Sequence, residues 1–158
     1  MSKILLIAWG YFIEFFLVLS VLLLINIVNV FNVVINIVAL NADSLIIING
    51  IIITIGLALW GFYISSILKS KFGELLIERK ASTTYHYSYA YLLLVLIASI
   101  ILLVIRKNYS AILFDNLLLL VIFLAIVNFI TSLKNTCYLF KVKEEIDNLQ
   151  HIKKNDLP

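Results

Sequence analysis

Apolar runs almost free of charge take up most of the chain. Ile4 to Leu40 carries one charge, Glu14; Ser44 to Leu68 carries none; Tyr89 to Ile105 carries none; Ser110 to Leu133 carries only Asp115. A helix needs about 20 apolar residues to cross a hydrocarbon core about 30 Å thick. The pattern therefore predicts an all-α, polytopic membrane protein with four transmembrane helices, at about 4–40, 44–68, 89–105 and 110–133. Residues 1–137 form the transmembrane domain, with a loop at 69–88, and residues 138–158 form an amphipathic tail that continues the last helix.

Composition narrows the class. Of 158 residues, 63% are hydrophobic and 13% charged, against about 45–50% and about 25% in an ordinary globular domain, which excludes a soluble enzyme domain and a disordered tail. The single proline is Pro158 and there are five glycines, too little punctuation for the short strands of a β-barrel. No small-residue cleavage site follows the first apolar run, which is expected to stay as an anchor.

Basic residues set the expected orientation, because Lys and Arg are retained on the cytoplasmic side. Lys3, the group Lys69, Lys71, Arg79 and Lys80, and the group Lys134, Lys141, Lys143, Lys153 and Lys154 fall on one side; Arg106 and Lys107 fall on the other. Both termini and the middle loop are thus expected in the cytoplasm. The net charge of +3 is accounted for by this asymmetry and by attraction to lipid headgroups, with no direct nucleic-acid partner. Trp60, Tyr63, Tyr85, Tyr87, Tyr89 and Tyr91 fit an interfacial aromatic belt.

The first run is too long for one crossing. Its 37 residues would make a helix of about 55 Å, so it must tilt, break or protrude, and the excess from Asn29 to Asn41 is expected on the outer side. At about 100° per residue, Asn29, Asn32 and Asn36 share a sector of about 60°, and a continuous helix brings Tyr11 and Glu14 into it. Amides in hydrocarbon need partners, so this stripe is expected to face another helix, a symmetry mate or water. It reads either as interhelical glue in a homo-oligomer or as the lining of a pore; a broken helix would prevent it from assembling. Glu14, about 15 Å deep, is the sharpest single residue, either fixing packing through a hydrogen bond or serving function. Asp115, near the outer end of the last span, is expected to form a surface ion pair with Arg106 or Lys107.

Two cytoplasmic surfaces are candidates for docking a soluble protein. The middle loop interleaves Phe72 and Leu76 with Arg79 and Lys80, and its helical piece can also lie on the membrane. In the tail, Leu139, Val142, Ile146 and Leu149 recur at 3-4-3 spacing, a narrow stripe over about two heptads that is too short to associate strongly alone. Catalytic constellations are missing: there is no Gly-rich phosphate loop, no His/Cys/Asp metal spacing and no nucleophile–histidine arrangement, and His86 and His151 both sit in polar segments. No catalytic residue, cofactor or metal ligand is expected.

In topology, length and the Ile/Asn/Lys-rich character of Ile4 to Leu149, the chain resembles the four-helix membrane subunit of the Kiwa anti-phage defence system. The resemblance implies a phage-responsive sensor working with a soluble partner, and it carries over no individual residue. The expected function is a non-enzymatic, homo-oligomeric sensor or signalling subunit of the bacterial inner membrane that contacts lipid and docks a soluble cytoplasmic effector. A pore-forming or ion-channel protein with a Glu/Asn-lined axis is the alternative, and a bacteriocin-immunity or scaffold protein a third.

Overall fold

A computed structural model describes the backbone of residues 3–109 and 111–155 and the side chains of residues 12–109 and 111–149. It is helical, with no strand among the described residues. The order is α1 (Lys3–Ile27), α2 (Phe31–Leu40), α3 (Ala42–Phe62) continued by a π-helical turn (Tyr63–Ile67), α4 (Lys71–Glu78), α5 (Ser82–Arg106) and α6 (Ile112–Asn155). Three helices are long and apolar enough to cross a membrane, or four if α1 and α2 count as one broken span.

The first apolar run is not one helix. At its break α1 and α2 are bent by 110°, and the cause is local. Asn29 has φ 58°, and the Asn29 and Val30 amides donate to the carbonyls of Asn26 and Ile25 at 3.1 and 3.2 Å. These are the two bonds of a Schellman cap, with asparagine at the left-handed position that it tolerates better than most side chains. Of the expected outcomes, tilt, break or protrusion, the run breaks, and α2 leaves the line of α1 sideways. Ile35 of α2 is buried, and Phe31, Val34 and Val38 pack against the main core.

The second run matches one continuous rod from Ala42 to Ile67, which widens at its end where the Leu68 amide bonds the Tyr63 carbonyl at 3.0 Å. The chain then turns. Ser70 caps α4 by accepting from the Gly73 amide at 3.2 Å, and Gly73 allows that turn because a Cβ there would lie 2.3 Å from the Ile67 carbonyl oxygen. A second Schellman cap, with Lys80 at φ 55°, ends α4.

α5 begins at Ser82, seven residues before the expected start at Tyr89, because the polar Ser-Thr-Thr-Tyr-His-Tyr-Ser run is helical too. α6 runs for 44 residues with no boundary near residue 137, so the tail is a continuation of the last span and not a separate piece. The main core joins Val18 and Leu22 of α1, Leu92, Leu96 and Leu103 of α5, and Leu118, Leu119 and Leu124 of α6. A smaller core at the opposite end joins Tyr63, Ile67, Leu76, Tyr89 and Leu139.

Candidate functional site: a polar seam through the helix bundle

The α6 sequence places Asn128, Ser132 and Thr136 four residues apart, hence on one helix face, and all three are buried. Two of them are partly satisfied within their own helix. Asn128 Nδ2 donates to the Leu124 carbonyl at 2.9 Å, and Thr136 Oγ1 donates to the Ser132 carbonyl at 2.8 Å. The Thr136 hydroxyl has then used its only proton, so the 2.5 Å contact with Tyr89 of α5 has the Tyr89 phenol as donor. Beside this row, Thr131 hydrogen-bonds the Glu14 carboxyl of α1, and Tyr91 of α5 lies close enough to feel the charge of Glu14.

Glu14 thus sits where α1, α5 and α6 meet. Its Oε2 is buried without a hydrogen-bond partner among the described residues. A carboxyl with one unpartnered oxygen is costly in an apolar interface, because burial removes its hydration. A change of partner at Glu14 would be felt on α1 and α6, with Tyr91 of α5 close by. Tyr63 does not reach Glu14: its hydroxyl donates to the Ser82 carbonyl at 3.3 Å in the smaller core. Tyr11 has no described side chain.

Above and below Glu14 the bundle is pinned by other polar contacts. Asn49 of α3 donates to Ser99 of α5 at 2.9 Å, both buried. At the α2 end, Asp115 pairs with Arg106 at 2.5 Å, but with Asp115 buried and Arg106 half-buried this contact between α5 and α6 is not the surface pair expected, while Lys107 pairs with Asp43. At the α4 end, Trp60 Nε1 donates to His86 Nδ1 at 2.9 Å, and Tyr63 packs its ring against Tyr85, His86 and Tyr89. Several rings of the expected belt therefore face one another, whereas Tyr87 is exposed.

The stripe read from the sequence does not assemble. Asn29 is spent on the cap, and Asn32 and Asn36 lie exposed on α2 beyond the bend, so they cannot continue the Glu14 face. Of the eight expected docking residues, three are taken up inside the chain. Leu76 and Leu139 are buried in the smaller core, with Phe72 packed against them, so these three hold α4 to α6 within the chain. Arg79 and Lys80 are exposed, Val142 and Ile146 are half-buried, and Leu149 is 66% exposed. What pattern reading misses is the seam itself. Thr131, Ser132, Thr136, Ser99 and Asn49 are small polar residues scattered in apolar runs, and the 4-4 spacing of Asn128, Ser132 and Thr136 is the signal that marks it. Among the described residues no three His, Cys, Asp or Glu side chains converge.

No protein-family model, curated protein or solved structure matches this chain.

Proposed function

We propose that this chain is a non-enzymatic signalling subunit of the bacterial inner membrane, with both termini cytoplasmic, that works as a homo-oligomer and docks a soluble effector on its tail. One observation carries the reading: α6 is a single unbroken helix from Ile112 to Asn155. Such a helix is about 66 Å long, about 36 Å more than a hydrocarbon core requires. Along it lie Asp115 in its ion pair with Arg106, Thr131 against Glu14, and Thr136 against Tyr89. A rigid rod gripped at these levels passes a shift in packing to its far end, where Leu149 is exposed and uncommitted to either core.

The basic residues Lys69, Lys71, Arg79, Lys80, Lys134, Lys141 and Lys143 cluster at the α4 and tail end, which supports placing that end in the cytoplasm. The resemblance to the Kiwa membrane subunit supports anti-phage defence as the setting. The docking surface is narrower than the sequence stripe: it comprises Val142, Ile146 and Leu149, since Leu139 is taken up internally.

The test is purification in mild detergent from cells, followed by planar-bilayer recording on the same sample. A stoichiometric soluble partner that is lost when residues 144–158 are deleted, together with a silent bilayer, supports the proposal. A partner-free oligomer that conducts ions, with a conductance changed by Glu14→Gln, overturns it in favour of a pore.

A further inference from the structure

α2 is a ten-residue helix without a charge, placed across the end of a bundle. At about 100° per residue its side chains divide into three sectors. Phe31, Val34, Ile35 and Val38 meet the core; Asn32 and Asn36 share one exposed flank; Val33, Ile37 and Leu40 form a second exposed flank, with Leu40 86% exposed. The apolar arc, packed and unpacked together, covers about 260° and leaves the asparagine pair as the single polar side.

We infer that α2 is an interfacial helix that seats its Val33, Ile37 and Leu40 edge among lipid chains and turns Asn32 and Asn36 to water, and that lipid packing, not lipid charge, governs this seating. The inference deepens the signalling proposal and rests on its membrane placement, because it names what the subunit responds to.

Three observations select lipid as the occupant. The segments that flank α2 in the chain also offer apolar side chains outward, Ile27 and Val28 at the end of α1 and Ile47 and Ile48 near the start of α3, as a membrane-embedded bundle does toward lipid. A helix about 15 Å long with a three-residue edge is far below the roughly 1,000 Å² that a specific protein interface takes. Finally, there is no charged residue between Glu14 and Asp43, and Asp43 is paired with Lys107. Interfacial helices that read anionic lipid carry Lys or Arg on the polar face; an asparagine face offers no such attraction and leaves hydrophobic insertion alone to hold the helix.

The position of α2 couples its seating to the bundle. Asn41 alone links it to α3, and the Asn29 cap links it to α1. Tighter lipid packing at this level closes the space that Val33, Ile37 and Leu40 occupy, and lifts α2 against two spans at once.

The experiment uses the full chain in vesicles. In a Cys137→Ser background, an environment-sensitive fluorophore is attached through Asn32→Cys, Val33→Cys, Asn36→Cys or Ile37→Cys, each an exposed or half-free position that leaves the core intact. Vesicles are dioleoylphosphatidylcholine, the same lipid with cholesterol, and the same lipid with phosphatidylglycerol. The expected result is iodide quenching about three-fold weaker at 33 and 37 than at 32 and 36, with the reverse order for a quencher on the lipid chains. Cholesterol should reduce lipid quenching at 33 and 37, and phosphatidylglycerol should leave it unchanged. Ile37→Asn, which removes no packed side chain, should lower lipid quenching at 33. Equal water access at all four positions overturns the inference, as does control by phosphatidylglycerol. Shielding of 33 and 37 that survives in detergent and disappears on dilution also overturns it and assigns the edge to a second copy. Effector capture is read separately: an inserted α2 with no captured partner refutes the signalling proposal alone, and a captured partner with a water-exposed α2 refutes this inference alone.

Discussion

Asn49 of α3 and Ser99 of α5 are joined by a buried hydrogen bond of 2.9 Å, in a pair of helices that also share the Trp60–His86 hydrogen bond and the close approach of Gly56 to Leu92 and Leu93. An amide in such a place is expensive alone and adequate when paired. Ser99→Ala should therefore destabilise the bundle by about 1–2 kcal/mol by stranding the amide. Adding Asn49→Leu should cost less than the sum of the single changes, with a coupling of about 0.6 kcal/mol and not above about 2. Unfolding midpoints in mixed detergent for the four proteins of the cycle measure this. Strict additivity would show that the bond contributes nothing.

Glu14 is held by Thr131 on one side and has one oxygen unpartnered among the described residues, so its two replacements should separate. Glu14→Gln keeps an acceptor for the Thr131 hydroxyl, removes any charge, and should be neutral or stabilising. Thr131→Val strands the carboxyl further and should destabilise by about 1–3 kcal/mol. The pair should also differ in signalling. Glu14→Gln should fix α1 against α6 and reduce the response of the tail to a stimulus, measured by effector release from reconstituted protein, while leaving the amount of bound effector unchanged. Thermal unfolding that ranks the two variants in the opposite order would remove Glu14 from the centre of the seam.

The spans were legible because hydrocarbon thickness imposes a length that composition displays. The expected 44–68 corresponds to Ala42–Ile67, and the apolar run 110–133 lies within α6 apart from its first two residues. The break at Asn29 was hidden by its own neighbours. Asn29, Asn32 and Asn36 keep helical spacing, so they read as a face, and nothing in periodicity distinguishes an asparagine on a stripe from one that terminates a helix at positive φ. The fate of Leu139 was hidden for a related reason. Its 3-4-3 stripe is real, but periodicity reports which residues share a face, and here the first of them meets Tyr63, Ile67 and Leu76 of the same chain. The seam was least visible, since Thr and Ser can satisfy themselves on the preceding turn and leave no trace in hydropathy.

The bend at Asn29 can be tested by residue type. Asn29→Gly should keep the 110° bend, because glycine adopts the left-handed conformation without steric cost. Asn29→Val should oppose it by about 1–2 kcal/mol, since a β-branched side chain is strained there, and should favour a straighter path from α1 into α2. The distance between spin labels at Leu24 and Ile37 reports the outcome. It should lengthen and broaden in Asn29→Val and stay put in Asn29→Gly; an unchanged distance in both would mean that tertiary packing of Ile35, not the cap, sets the bend.

Leu139 and Leu149 lie on one stripe of α6 yet face different demands, and their substitution separates stability from docking. Leu139 is 1% exposed among Tyr63, Ile67 and Leu76, so Leu139→Ala removes core methyl groups and should destabilise by about 2–5 kcal/mol, loosening α4 from α6. Leu149 packs in neither core and is 66% exposed, so Leu149→Ser should move the unfolding midpoint by no more than about 0.5 kcal/mol. The same Leu149→Ser should weaken capture of a tail-bound effector, because an apolar side chain offered to water at the end of a rigid helix is where a partner gains most by covering it. Equal capture by Leu149→Ser and the parent protein, with stability unchanged in both, would place the docking surface away from the tail.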